Sequence, residues 1–305
     1  MAKLMSKKTR ETVLTATVLV IVVAFIFFYI IYPLITVPGL TCRSDRDTFD
    51  DPDYAPVNDA AYFVELGLNP DTFTVTTDDN LRLACLYFAP DSAIYDSVRG
   101  TVVFLNSSDT DRTAFAPYLS PLLDSGLAVV LYDLRATGLS GGTYHTAGFY
   151  ESDDLNQLLI YLKFHERDRH PLITVGFGIG GDAVLSAARK EQREELVVAI
   201  DPFITAARWI NMMKQEKGAW PIPFYNRLYY WWYLKLYGLP LNRTGLDDIQ
   251  AVASRTVVAA AEENLESPEI KQLIDLSSEM VTPVKKPTNE TAMKAWLVEL
   301  IYREL

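Results

Sequence analysis

The feature that most restricts the fold is an alternation of short apolar runs with amphipathic stretches, which starts near residue 71 and continues to the C-terminus. Strands that alternate with helices need crossover connections, and these favour a mostly parallel sheet. The run at 101–106 is apolar almost throughout, as expected of a strand buried on both faces. The predicted strands are 72–77, 81–89, 101–106, 127–133, 172–178, 196–203 and 256–263. We therefore predict an α/β fold whose mostly parallel sheet is covered by helices on both faces.

The spacing of apolar residues predicts the helices between these strands. Residues 152–166 carry four leucines at the i, i+3, i+4 and i+7 positions of one helical face. A second helix is predicted at 181–190, and a closing helix has Met293, Trp296, Leu297, Leu300 and Ile301 on one face. Residues 78–80 read Asp-Asp-Asn, which indicates a hairpin turn between the first two strands.

The N-terminal region predicts a membrane anchor. Val13–Ile31 contain no charged side chain, and the apolar character continues to Val37. About 20 apolar residues are enough for a helix to cross a bilayer. A cleaved signal peptide is the alternative, but its apolar core is only about 7–15 residues long. Basic residues precede the span and acidic ones dominate after it, so the N-terminus is predicted to be cytoplasmic and the main domain extracytoplasmic.

These patterns divide the chain into segments. We expect a cytoplasmic tail at 1–11, a transmembrane helix at 12–37, an Asp/Pro-rich stalk at 38–70, and a folded domain at 71–305 with a cap insertion at 204–250.

Composition excludes several classes of function. The formal net charge is -11, and no block of Lys or Arg occurs beyond the N-terminus, so nucleic-acid binding is not expected. Two cysteines, Cys42 and Cys85, are too few for a zinc site or a disulfide scaffold, although they leave a single bridge open. No motif supports a metal or a cofactor. The GFGIGG run fits a dinucleotide fingerprint formally, but it follows a late strand instead of opening a first βαβ unit.

Three stretches make the region 71–305 resemble the α/β-hydrolase family, especially its membrane-anchored and lipase-like members. They are DDNLRLACLYFAP at 78–90, YDLRATGLSGG at 132–142 and VGFGIGG at 175–181. The last stretch takes the place of the nucleophile elbow, a strained strand-to-helix turn that normally reads Gly-x-Ser-x-Gly. The resemblance implies an ester-hydrolase scaffold with a catalytic serine, histidine and acid.

At the elbow the nucleophile is missing. Gly176 and Gly180 match the two framing glycines, while Gly178 occupies the position of the serine. A glycine has no side chain and cannot form an acyl intermediate. The backbone N–H of Ile179 is expected to remain at an anion-friendly corner of the turn.

The base is missing as well. The family places its histidine before the closing helix, but residues 279–290 contain none. His165 and His170 are predicted at the opposite end of the elbow strand. His145 is the remaining candidate for a base, and a loop-packing imidazole is the simpler interpretation of it.

The remaining site residues are weaker candidates. Glu262 and Glu263 follow the strand at 256–261, where the family has its acid. Asn106 and Ser107 take the place of the oxyanion loop. We therefore expect no catalytic residue, with these positions and the elbow glycines as a vestigial site.

An aromatic segment at 220–240 forms the centre of the cap insertion. One interpretation is a cap helix packed over the edge of the sheet. The other is a surface for a lipid, an apolar ligand, a partner helix or the bilayer interface, because Tyr and Trp suit such surfaces. The candidate surface residues are Trp220, Phe224, Tyr229, Trp231 and Trp232.

The function predicted from these features is a membrane-anchored, non-catalytic hydrolase-like domain that binds a partner protein or an apolar ligand. One alternative is a working esterase or lipase that uses His145 as base and Ser107 or Ser108 as nucleophile. A second alternative is a structural subunit of a membrane complex.

Overall fold

An eight-stranded sheet forms the centre of the structure, a computed structural model that describes residues 7–41, 59–190, 194–216, 225–239, 252 and 254–305. The strand order is β1-β2-β4-β3-β5-β6-β7-β8. The strands are β1 Asp71–Thr76, β2 Arg82–Phe88, β3 Gly100–Leu105, β4 Leu127–Tyr132, β5 Leu172–Phe177, β6 Leu196–Ile200, β7 Arg255–Ala260 and β8 Val281–Lys285. β2 is antiparallel to both of its neighbours, β1 and β4, and the other adjacent strand pairs are parallel. The predicted, mostly parallel α/β sheet is confirmed.

Helices cover both faces of this sheet. The helices are α1 Lys7–Ile26, α2 Tyr32–Thr41, α3 Asp59–Glu65, α4 Ala116–Leu123, α5 Phe149–Phe164, α6 Ile179–Lys190, α7 Ala206–Glu216, α8 Tyr225–Leu236, α9 Glu262–Leu265, α10 Pro268–Leu276 and α11 Glu290–Tyr302. α4 and α11 supply apolar side chains to one core cluster beneath the sheet. α5 and α6 pack together, and α6 also contacts β5 and β6. Each fully buried leucine or valine of these layers contributes about 1.5–3 kcal/mol.

Strand β8 was missed by the sequence analysis. It is short, contains Pro283, and lies at the edge of the sheet, where only Val281 is buried. Edge strands tolerate proline and polar residues because one side has no hydrogen-bonding neighbour. No apolar run therefore marks this strand in the sequence.

The folded domain begins before residue 71, where the sequence analysis placed its start. Helix α3 lies within the segment assigned to the stalk, and its Phe63 is fully buried. The Phe63 ring meets Phe88 of β2 edge-on at 5.1 Å between centroids. Part of the predicted stalk, residues 42–58, lies outside the described residues. Cys42 is among them, while Cys85 is a buried free thiol.

A long apolar helix opens the chain. α1 continues through a π-helical turn, Phe27–Ile31, into α2 without a break. The run Lys8–Thr41 is long and apolar enough to cross a membrane, a property that signal sequences near an N-terminus share. This helix and the described residues between Ile210 and Leu241 form one compact unit, and the sheet with its helices forms a second.

Candidate active site

The turn between β5 and α6 has the backbone geometry of a nucleophile elbow. Gly178 lies between the two elements with φ +54°, in the left-handed region. Its N–H donates to the carbonyl of Ile200 in β6 at 2.9 Å, and its carbonyl accepts from the N–H of Asp182 at 3.1 Å. The strand therefore turns sharply into the helix at Gly178, a buried residue at the carboxyl end of the sheet.

The two framing glycines are required by close backbone contacts. A Cβ on Gly176 would lie 2.1 Å from the carbonyl oxygen of Gly180. A Cβ on Gly180 would lie 2.5 Å from the carbonyl oxygen of Asn106. These approaches are far below van der Waals contact, so both positions exclude any side chain.

Ser107 occupies the space that a nucleophile at position 178 would use. A Cβ built on Gly178 would lie 2.5 Å from Ser107 Oγ and 3.6 Å from the ring of Phe203. Ser107 follows β3 and is half-buried. The sequence analysis placed Ser107 in the oxyanion loop, and the fold brings its hydroxyl to the apex of the elbow.

Asn106 holds this loop in place. Its side chain is fully buried and donates to the carbonyls of Ser107 and Thr110 at 2.8 and 2.6 Å, and to the hydroxyl of Thr137 at 3.0 Å. Its Oδ1 accepts from the N–H of Leu134 at 2.9 Å. Asn106 is therefore a bridge between the loops after β3 and β4, and its polar atoms are used within the protein.

A lysine follows β8, in the segment where the resemblance implied a histidine. Lys286 directly follows β8, and its N–H donates to the carbonyl of Ala260 at 2.9 Å. Its ammonium group pairs with Asp201, which follows β6 with φ +49°. Asp201 Oδ1 is buried and accepts no hydrogen bond. The sequence analysis did not single out this pair, because its members lie 85 positions apart.

The two glutamates at the acid position face the surface. Glu262 and Glu263 begin α9 and are exposed. Glu262 accepts a hydrogen bond from Lys285 at 2.5 Å, and this bond lowers the pKa of its carboxyl group. The structure pairs Glu262 with this neighbouring lysine and not with the Lys286–Asp201 pair.

His145 is buried, and its neighbours Glu151 and Trp209 are not elbow residues. Its Nδ1 lies 3.8 Å from Glu151 Oε1, and its ring meets Trp209 edge-on at 6.3 Å. His170 pairs with Glu195 at the start of β5 and β6, at the opposite end of the strands. These contacts place His145 in the packing between its loop and α5.

The Asp-x-Arg turn after β4 is held by its own carboxylate. Asp133 is fully buried and accepts the N–H groups of Arg112 and Leu139, both at 2.8 Å. Burial raises the pKa of Asp133, against the opposing effects of the Arg112 charge and the two N–H groups. A Cβ on Gly138 would lie 2.1 Å from the Asp133 carboxylate, so this turn also requires a glycine.

Arg135 connects this turn to two other elements. It binds the carboxylate of Asp154 in α5 with two nitrogens, at 2.8 and 2.7 Å, and that of Asp79 in the β1–β2 turn at 3.0 Å. Burial alone would raise the pKa of Asp79, but the hydrogen bonds from Thr77 and Arg135 outweigh it and lower that pKa. The charges of this motif therefore stabilise the scaffold.

The described residues of the candidate cap surface differ in how deeply they are buried. Trp220 and Phe224 lie outside the described residues. On α8, Tyr229 is fully buried, Trp232 is half-buried and Trp231 is exposed.

Within the described residues, few groups at the elbow are available for chemistry. The N–H groups of Ile179 and Gly180 open α6 and have no acceptor within the helix, so they can stabilise a negative charge. Ser107 is the hydroxyl brought next to them. Among the described residues, no three His, Cys, Asp or Glu side chains are placed to hold a metal.

Comparison with known sequences gives a short match. No protein-family profile matches the chain. The uncharacterized protein YqkD of Bacillus subtilis is 48% identical over 88 residues, which are 28% of this chain and 29% of that protein. The match therefore spans less than a third of YqkD.

Solved structures match over most of the chain. An esterase from Pyrococcus furiosus matches with a TM-score of 0.61 at 18% identity, over 79% of this chain and 94% of that one. A serine hydrolase homologue from Coxiella burnetii matches with a TM-score of 0.52 at 16% identity, over 77% of this chain and 97% of the other. The thioesterase domain from the curacin biosynthetic pathway matches with a TM-score of 0.52 at 10% identity, over 76% and 99%. Together with the elbow geometry, these matches show that the chain has the α/β-hydrolase fold.

Proposed function

We propose that this chain is a membrane-anchored protein whose α/β-hydrolase domain does not catalyse acyl transfer at its elbow, and instead binds a partner protein or an apolar ligand. The observation that carries the proposal is Gly178. The turn has the backbone that presents a nucleophile, and the residue presented has no side chain.

The other triad positions support this proposal. At the base position, Lys286 is held in an ion pair with Asp201. At the acid position, Glu262 pairs with Lys285 at the surface. An oxyanion corner and substrate binding without a triad would leave a rate about 10³–10⁴-fold above that in water. Such a rate is far below that of a working esterase.

The N-terminal helix supports the anchor. We infer that residues 12–37 cross the bilayer, with residues 1–11 in the cytoplasm and the sheet domain on the other side. The charge difference between the two flanks carries the orientation.

A fluorophosphonate probe tests the loss of catalysis, because it labels activated serines. We expect the full-length protein in detergent to remain unlabelled, while an active serine hydrolase in the same tube is labelled. Labelling of the full-length protein at a comparable rate would contradict the proposal.

A second candidate function is an esterase whose nucleophile has moved to Ser107. The position of its hydroxyl at the apex of the elbow, beside the open N–H groups of α6, favours this alternative. Here labelling would disappear in Ser107→Ala and persist in Ser108→Ala, the matched control on the neighbouring residue. The loss of labelling in His145→Gln would further assign the base.

A further inference from the structure

Helix α8 packs against the end of the N-terminal helix through specific polar contacts. The hydroxyl of Tyr229 lies 2.5 Å from that of Thr36, and its ring meets Tyr32 edge-on at 6.5 Å. A second pair of hydroxyls joins Tyr237 to Thr41. Each contact joins a residue that follows α1 to one in or just after α8. The two helices therefore form a specific interface.

The π-helical turn supplies a third contact. Trp232 Nε1 donates to the carbonyl of Tyr29 at 3.2 Å, within the π turn Phe27–Ile31. A π turn shifts the backbone hydrogen bonds by one residue, and such turns are frequent at functional sites. Near the boundary of the hydrocarbon core, lipid tails offer a carbonyl no further hydrogen-bond partner. Trp232 provides that partner, which links α8 to the level of Tyr29.

The length of the uncharged segment gives the depth of this contact. Residues 12–42 carry no Lys, Arg, Asp or Glu. Residues 12–41, which are helical, extend about 45 Å at about 1.5 Å per residue. The hydrocarbon core is about 30 Å thick, and the bilayer with its headgroups about 40–45 Å. If the hydrocarbon core begins at residue 12, about 20 residues cross it. The last three turns, with Tyr32, Thr36 and Thr41, then fall in the headgroup layer, and Tyr29 lies at its boundary.

The outer side of α8 suits that layer. Trp231 is 43% exposed and Leu236 is 38% exposed. Lys235 lies over the Trp231 ring, with its ammonium 5.9 Å from the centroid. On the N-terminal helix, Ile35 is 66% exposed, so both helices expose apolar side chains. An indole with a neighbouring lysine is typical of side chains at a membrane–water boundary.

The local charge also favours a position of α8 among lipid headgroups. In a chain with a formal charge of -11, the sequence from 210 to 241 has four basic residues and one acidic residue. Like residues 1–11, this segment is therefore locally basic in an acidic chain, and basic residues are favoured next to phosphate headgroups.

We infer that α8 is an interfacial membrane helix, whose exposed side with Trp231 and Leu236 lies among lipid headgroups beside the transmembrane helix. The inference rests on the proposed anchor and specifies the partner of the aromatic cap as the bilayer surface. The tyrosines of α8 bind the N-terminal helix, and its exposed tryptophan contacts lipid.

Fluorescence quenching in vesicles tests this placement. The full-length protein is reconstituted into phosphatidylcholine vesicles whose acyl chains are brominated near the glycerol end or near the methyl end. We expect the first lipid to quench tryptophan emission more than the second, and Trp231→Phe to lose a large share of that quenching. Trp296→Phe is the matched control, since Trp296 packs against the sheet core and should leave the quenching unchanged.

Aqueous iodide and alkaline carbonate separate the outcomes. If iodide, and not brominated lipid, quenches the emission that Trp231→Phe removes, the face lies in water and the inference fails. If neither quenches it, protein covers Trp231 and the inference also fails. If carbonate releases the protein from the vesicles, the anchor itself is wrong and both proposals fall. Retention in the vesicles without shallow quenching overturns the inference alone.

Discussion

Three glycines stand at the turn between β5 and α6, and the space around them differs. Gly176 and Gly180 face backbone carbonyls that cannot move without breaking the sheet or the helix. At Gly178 the nearest atom is the hydroxyl of Ser107, the end of a side chain that can rotate. The framing glycines are therefore required by the fold, whereas packing alone does not require a glycine in place of the nucleophile. The absence of a hydroxyl at position 178 is therefore not forced by the atoms packed around it.

Gly176→Ala tests this distinction. The added methyl group would overlap the Gly180 carbonyl, and overpacking of this kind costs about 1–3 kcal/mol. Urea unfolding of the full-length protein in detergent should show that loss in the free energy of unfolding. Gly141→Ala is the control, because its Cβ would meet its nearest neighbour at 3.4 Å. Equal stability of the two variants would contradict the argument.

At the scale of elements, the turn after β4 depends on buried charge. Arg135 joins that turn to α5 and to the β1–β2 hairpin through Asp154 and Asp79. Asp154 is buried and is bound by two nitrogens of Arg135, so removal of Arg135 would leave its carboxylate without that cation. The Asp-x-Arg motif, which contributed to the resemblance to a hydrolase, therefore holds three elements of the fold together.

Arg135→Met should destabilise the protein strongly. Removal of one partner of a buried ion pair costs about 3–5 kcal/mol, since the remaining charge is left without compensation. Thermal or urea unfolding followed by far-UV circular dichroism would measure it. Arg169→Met is the matched control, because Arg169 is largely exposed and its pair with Glu166 spans 3.8 Å. A change below about 1 kcal/mol in both variants, as for surface pairs, would refute this role of Arg135.

At the scale of the whole molecule, the chain divides into two compact units. One consists of the N-terminal helix with the segment around α8, and the other is the hydrolase-fold domain. The cap insertion of the sequence analysis therefore contributes to the unit that contains the proposed anchor.

Protease protection tests the proposed orientation. In intact cells or right-side-out vesicles, a tag before Met1 should survive external protease, while a tag after Leu305 should be removed. The reason is that basic residues precede the span and resist translocation. Permeabilised membranes provide the control, in which both tags are digested. Protection of the C-terminal tag alone would reverse the orientation.

Much of the fold could be predicted from local pattern. Buried parallel strands are apolar along their whole length, so β3, β4, β5 and β6 stand out in the sequence. Edge strand β8 and helix α3 do not, because partly exposed elements carry mixed residues. At the site, the elbow glycines and the missing serine were visible because the motif is contiguous.

The remaining contacts join residues far apart in the chain. Thr36 and Tyr229 are 193 positions apart, and Lys286 and Asp201 are 85 apart. The order of residues was enough to predict an α/β sheet, an apolar N-terminal span and an elbow without a nucleophile, since each depends on neighbours along the chain. The placement of the Ser107 hydroxyl at the elbow and of α8 on the N-terminal helix follows only from folding, because long-range packing selects among many local patterns that are equally compatible with the sequence.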